Sequence, residues 1–217
     1  MRLVRGNAMI NVKAKKVYSE ILAKKVTEWI AGETSLNEIE YLKIKLGIES
    51  ILINISKSLI VFFAAMFFQT LILTILAYVA YVAVRKFSQG LHAKSSVMCT
   101  IVSILMFVAV PYMVQNVVID RLWVFLVGVG TTYLLYKYAP ADTEKSPIID
   151  YDVRKQLKWR SVGANIFLMF IALVVYNSMV RTMIVTGVVM QIIMVLPITY
   201  KILGRGYNNY EEYEAEV

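Results

Sequence analysis

The stretch Ser58-Leu-Ile-Val-Phe-Phe-Ala-Ala-Met-Phe-Phe-Gln-Thr-Leu-Ile-Leu-Thr-Ile-Leu-Ala-Tyr-Val-Ala-Tyr-Val-Ala-Val84 carries no charge over 27 residues, and its reading decides the fold. About 20 apolar residues of helix cross the hydrocarbon core of a bilayer. The stretch is therefore one tilted span or the inner part of a helical hairpin turning near Gln69 and Thr70. In the hairpin, one helix runs from about Gly47 to Phe68 and carries Asn54 and Lys57. The second, from about Leu71 to Val84, is short or re-entrant. Four more uncharged runs, 95–119, 122–136, 161–180 and 182–200, each read as a single helix.

Charge placement chooses between the two topologies, because Lys and Arg in short loops favour the cytoplasmic side. With the hairpin, the chain has six membrane helices and both termini inside. The N-terminal region to Lys45 then contributes nine cations, the Arg85–Lys94 loop three, the Lys137–Arg160 loop six and the C-terminal segment two. Twenty of the 23 cations fall inside; Arg121 and Arg181 lie outside, and Lys57 within a span. A five-helix arrangement puts either the nine N-terminal cations or the later loops on the wrong side.

Composition agrees with a membrane solvent. Hydrophobic residues make up 59% of the 217-residue chain and charged residues 18%, with a mean hydropathy of +0.62. That leaves too little polar surface to cover a soluble globule. The fold expected is all-α: a single polytopic integral membrane domain over 1–217, with about six transmembrane helices. Residues 1–40 form an N-terminal cytoplasmic amphipathic segment and 205–217 an acidic, mobile tail. The net charge of +8 follows from cations that flank spans and meet anionic lipid, so no nucleic-acid partner is expected. Between Val12 and Ile30, Val17, Ile21, Val26, Trp29 and Ile30 alternate with Lys13, Lys15, Lys16, Lys24 and Lys25, which suits a helix lying in the interface plane. It serves as an anchor or as a dock for an amphipathic peptide.

His92 and Cys99 are the only histidine and the only cysteine, seven positions apart in Arg85-Lys-Phe-Ser-Gln-Gly-Leu-His-Ala-Lys-Ser-Ser-Val-Met-Cys99. A lone cysteine forms no internal disulfide and suits a reducing, cytoplasmic side. Imidazole is the side chain suited to activate a thiol near neutral pH. In one continuous helix the two would be separated by about 10.5 Å of rise, too far for a hydrogen bond. Catalysis therefore requires a break, and Gly90 with Ser95 or Ser96 as a helix cap can supply it. Cys99 would then sit in the first turn of a helix, near Lys94, a position that suits a thiolate. Taken alone, the pair reads more readily as a packing cysteine and a solvated histidine than as a catalytic pair. One His and one Cys fall short of a zinc site, and no P-loop or dinucleotide glycine pattern is present. No metal and no cofactor are expected.

The Arg85–Cys99 run resembles the signature of the accessory gene regulator protein B (AgrB) family, bacterial membrane endopeptidases that process quorum-sensing propeptides. The loop Tyr138-Ala-Pro-Ala-Asp-Thr-Glu-Lys-Ser-Pro147 is similar to that family's proline-flanked loop, and Gly47-Ile-Glu-Ser-Ile-Leu-Ile-Asn54 with Lys57 to its first span. The likeness covers roughly 10–205. It departs at Gln89-Gly90, where many members have two glycines.

The resemblance implies a cysteine endopeptidase in the bacterial cell membrane, multi-pass, with its catalytic loop at the cytoplasmic face. Cys99 would attack the carbonyl at the processing site, with His92 as base and later acid. The C-terminal part of the propeptide leaves, and a substrate Cys or Ser then closes a thiolactone or lactone ring. The partners implied are a short amphipathic propeptide and membrane lipid, with a homodimer left open. Arg85, Lys86, Gln89, Gly90, Lys94, Ser95, Asn54 and Lys57 are candidate substrate-binding residues, and the backbone amides near Gln89 or Gly90 candidate oxyanion donors. The competing expectation is a non-catalytic membrane peptide transporter or scaffold.

Overall fold

A computed structural model of the chain describes residues 21–30, 32, 37–91, 96–143 and 147–211. Among these the secondary structure is helical: α1 (21–30), α2 (Glu38–Phe67), α3 (Leu71–Ser88), α4 (Ser96–Ile104), a π-helical turn (Leu105–Ala109), α5 (Val110–Val114), α6 (Arg121–Tyr138), α7 (Tyr151–Val174), α8 (Ser178–Val195) and α9 (Pro197–Ile202). Among the described residues, five helices are long and apolar enough to cross a membrane: α2, α3, α4 through α5, α7 and α8. The sixth expected span is α6, 18 residues like α3 and α8, with Arg121 and Lys137 at its ends. The chain is an all-α polytopic membrane protein.

It divides into two units, Met1–Val61 and Phe62–Val217. In the first, α1 buries Ala23 and Thr27 and exposes Trp29; the Thr27 hydroxyl donates to the Ala23 carbonyl at 2.7 Å, and Lys24 pairs with Glu28 at 3.6 Å. Residues 12–20 of the expected amphipathic helix lie outside the described residues.

The hairpin turn forms at Phe68-Gln69-Thr70. Gln69 takes the left-handed conformation with φ 56°, and the Thr70 amide reaches the Ala65 carbonyl at 2.8 Å. The second arm is longer than expected. It continues to Ser88, 18 residues, about 27 Å of helix at 1.5 Å per residue, enough for a full crossing.

α3 packs most closely on α8, and α6 on α7. The core joins Ala80 and Val84 of α3 to Ile184, Val188 and Ile192 of α8. Polar pairs add to it: the Asn165 amide of α7 donates to the hydroxyls of Thr131 (3.1 Å) and Thr132 (2.8 Å) on α6. The π-turn has a local cause. Pro111 offers no N–H to the carbonyl four residues earlier, that of Phe107. The Thr74 hydroxyl of α3 donates to that carbonyl instead, at 2.6 Å, which ties α3 to the broken helix.

Two boundaries differ from the charge-based reading. The turn after α7 falls at Val175-Tyr176-Asn177, not at Arg181, because Asn177 caps α8 by accepting from the Met179 and Val180 amides. Arg181 therefore sits inside α8, 8% exposed, and donates to the carbonyls of Ile119 (3.2 Å) and Val175 (3.0 Å). An arginine bonded to loop carbonyls behaves as a helix-end clamp, although charge counting reads it as a loop cation. Likewise the connection expected to run from Lys137 to Arg160 ends at Asp150, because α7 already begins at Tyr151. Asp150 caps α7 at its side chain, and the charged residues form the first turns of the same span.

Candidate functional site

α3 ends at Ser88 and α4 begins at Ser96, with Gln89, Gly90 and Leu91 outside any helix; the break expected between His92 and Cys99 falls on 92–95, outside the described residues. His92, Lys94 and Ser95 lie outside the described residues. Cys99 is the fourth residue of α4, half-buried and free of any disulfide. Its carbonyl accepts the Ser103 hydroxyl at 2.8 Å, and its side chain is an electrostatic neighbour of Tyr81 on α3.

The loop that leads toward His92 is held at each step. Gln89 has φ 56° and Gly90 φ 123°, both in the region that favours glycine. The Gly90 amide donates to the Ala141 carbonyl (2.9 Å) and the Ala141 amide to the Ser88 carbonyl (3.0 Å), while the Leu91 amide donates to the Met194 carbonyl (3.1 Å). The proline-flanked loop and the end of α8 thus clasp the turn from two sides. A Cβ on Gly90 would stand 3.0 Å from the Met194 carbonyl oxygen, so glycine is required by space as well as by φ.

A polar network lies beneath this turn. Gln191 of α8, fully buried, donates from Nε2 to the Gln89 carbonyl (2.7 Å) and the Ser88 hydroxyl (2.8 Å). Arg85 donates to the Tyr81 hydroxyl (2.9 Å), to Gln191 Oε1 (3.4 Å) and to the Leu91 (3.1 Å) and Gly90 (3.4 Å) carbonyls. Tyr81 in turn packs edge-on against Phe107 at 4.8 Å. Arg85 is thus engaged with the protein's own backbone, unlike a cation presented to a substrate.

Of the other candidate residues, Lys86 is exposed, its amine 5.6 Å from the Phe87 ring centre. The Gln89 side chain is exposed and Gly90 is buried. Asn54 is exposed and Lys57 half-buried on α2, in the first unit. The amides of Gln89, Gly90 and Leu91 are occupied by the Arg85, Ala141 and Met194 carbonyls, so an oxyanion hole built from the Gln89 or Gly90 amide is corrected: those donors are already paired. Among the described residues, no group of three or more His, Cys, Asp or Glu could hold a metal ion.

Gln191, Ser88, Tyr81 and Asp142 were not singled out by the sequence. Gln191 carried a signal nonetheless, a carboxamide inside the uncharged 182–200 run, since polar groups at membrane depth face protein or a cavity. Asp142, 2% exposed, carried none. Its carboxylate accepts the Asn209 amide (3.0 Å), the Asn209 side-chain amide (3.1 Å) and the Tyr210 amide (3.0 Å), and its carbonyl accepts the Tyr200 hydroxyl at 2.9 Å. The first residues of the expected mobile tail are therefore docked. Arg154 lies 3.7 Å over the Tyr210 ring, and the Tyr207 hydroxyl reaches the Tyr138 carbonyl at 3.3 Å.

Replacing Asp142 by alanine leaves three donors without their charged acceptor. Hydrogen bonds to charged groups contribute about 1.5–3 kcal/mol each, so tail docking should weaken by at least about 2 kcal/mol, roughly 30-fold in opening. Limited proteolysis in detergent should cut near residue 206 correspondingly faster, and an unchanged rate would contradict the assigned role. Burial also pushes the Tyr207 phenol up from 10.0 to about 12. Its contribution is present below pH 10 and lost as the pH rises through about 12, so the same cleavage should accelerate in that window.

The accessory gene regulator B family model matches residues 23–195. A putative AgrB-like protein of Clostridium acetobutylicum is 37% identical over 206 residues, 95% of this chain and 99% of that one. One from Listeria monocytogenes is 39% identical over 179 residues, 82% of this chain and 87% of that one. The accessory gene regulator protein B of Staphylococcus haemolyticus is 28% identical over 173 residues, 79% and 90% of the two chains. No solved structure matches.

Proposed function

The chain belongs to the accessory gene regulator B family, a membership that supports a role in the agr quorum-sensing system, and on that premise we propose that it is a membrane-embedded cysteine endopeptidase acting on a short amphipathic propeptide. The observation that supports this reading most is the placement of Cys99 at the beginning of α4, after α3 has ended at Ser88. A thiol near a helix N-terminus is favoured in its reactive thiolate form.

His92 takes the Cys99 thiol proton as the sulfur attacks the carbonyl carbon at the processing site. Collapse of the tetrahedral intermediate breaks the C–N bond. The imidazolium returns its proton to the departing amine, and the N-terminal part remains on Cys99 as a thioester. A substrate thiol or hydroxyl then attacks that thioester, its proton passing to His92, and Cys99 is released. The product is a thiolactone or lactone ring. Exchange of one thioester for another keeps the acyl group activated, and a dry site at the membrane interface keeps water from hydrolysing it. The positive-inside distribution supports the cytoplasmic face of the bacterial cell membrane for this chemistry. Exposed Lys86, together with Lys94, carries charge suited to an acidic region of the substrate.

The test is mass spectrometry of the Cys99 peptide after co-expression with a propeptide that has a central Cys or Ser and an acidic tail. An acyl adduct on Cys99, released by hydroxylamine, is expected. Export of the intact propeptide with Cys99 unmodified would favour the transporter reading and overturn this one.

A further inference from the structure

We infer that Gln191 is a positioning residue of the proposed peptidase site: from α8, its carboxamide fixes the Ser88–Leu91 backbone and the Arg85 guanidinium, and through them the point from which the chain enters His92. The inference rests on the cysteine-peptidase reading, and it is carried by geometry. Nε2 donates to the Gln89 carbonyl at 2.7 Å and the Ser88 hydroxyl at 2.8 Å, and Oε1 accepts from Arg85 at 3.4 Å. One fully buried side chain thereby joins the end of α3, the left-handed residue of the turn and the arginine that holds the next two carbonyls.

Only a carboxamide fits this place. A carboxylate accepts but cannot donate, so it would keep Arg85 and could take the Ser88 hydroxyl as a donor, but it would lose the bond to the Gln89 carbonyl and set an oxygen against it. Leucine has similar bulk and makes none of the three. The left-handed backbone at Gln89 is strained for a residue with a side chain. Without the bond to its carbonyl, the turn has less reason to hold that conformation. Gln191 has no expected contact with the propeptide, so its loss should act through the orientation of the base. A misplacement of about 1 Å at a reacting group costs about 10²-fold in rate.

The experiment uses the full chain in proteoliposomes, with Gln191→Leu, Gln191→Glu, His92→Ala and the double variant Gln191→Leu/His92→Ala. Two quantities are read: cleavage of a synthetic propeptide, and the pH profile of Cys99 alkylation by iodoacetamide. Gln191→Leu is expected to lower kcat about 10²-fold with KM changed less than about threefold. Its alkylation profile should move toward that of His92→Ala, and in the His92→Ala background Gln191→Leu should change the profile no further. Gln191→Glu should show the same loss of kcat. Gln191→Leu folded and cleaving at the unsubstituted rate, while His92→Ala is inactive, would overturn the inference and leave the peptidase reading standing. His92→Ala cleaving normally would overturn both. If both Gln191 variants lose the fold along with activity, judged by size-exclusion chromatography in detergent, Gln191 belongs to core packing and the inference falls.

Discussion

Replacing Cys99 by alanine is expected to reduce propeptide cleavage by at least about 10⁴-fold while leaving the protein folded and inserted. The prediction is large because the chain offers no substitute: Cys99 is its only thiol and His92 its only imidazole. Loss of the nucleophile therefore removes the covalent route altogether. His92→Ala should cost nearly as much, since the thiol then lacks its base and the leaving amine its proton donor. The double variant should be little worse than either single one, because groups that act as a unit are far from additive. Cys99→Ser keeps the shape but presents a hydroxyl that is harder to deprotonate, so a trace of activity is the most it should retain. The fold should tolerate these changes. Cys99 is half-buried and makes no disulfide, and the hydrogen bond from Ser103 goes to its backbone carbonyl, which alanine keeps. Propeptide processing followed by immunoblot, with membrane yield as the control, decides it. Normal processing by Cys99→Ala would end the peptidase reading whatever the other variants did.

The parts of this molecule legible in its sequence are those governed by one-dimensional rules. The hairpin turn at Gln69 and Thr70 followed from span length and cation placement, and the turn after Ser88 from the backbone freedom of Gly90. Arg181 shows where charge counting fails. Its guanidinium donates to the Ile119 and Val175 carbonyls, partners 62 and 6 residues away, and no local pattern announces the first. Asp142 was unreadable for a similar reason, because its donors stand 67 and 68 positions along the chain. Arg85 was noticed as a loop cation, suited to topology or to an acidic substrate. Folded, it holds two carbonyls of the turn, partners that charge counting does not reveal. The amides of Gln89 and Gly90 were open donors on paper and are occupied in the structure. What sequence conveys poorly here is which polar group is already satisfied, since that depends on contacts between distant helices.

The second large effect concerns packing. Gly187→Ala is expected to destabilise the α3–α8 pair by about 3 kcal/mol or more. A Cβ at Gly187 would overlap the Ala77 carbonyl oxygen and stand 2.9 Å from the Ala80 Cβ. The obstacle at Ala77 is backbone inside a helix, so no rotamer change relieves it; α3 and α8 must separate. Close approach through small residues is how helices gain dispersion energy in lipid, where no hydrophobic force drives them together. Separation would reach the site as well, because Gln191 lies one helical turn beyond Gly187 on α8 and its bonds to Ser88 and Gln89 are only 2.8 and 2.7 Å long. Gly163→Ala on α7 is the control. Nothing lies within 4 Å of a Cβ there, so the same chemical change should be tolerated. Monodisperse protein remaining after graded heating in detergent separates the two cases. If Gly187→Ala survives heating as well as Gly163→Ala, then the two helices are not as tightly apposed as the Gly187–Ala77 approach implies, and α8 would lose its mechanical basis for holding the Ser88–Leu91 turn through Gln191.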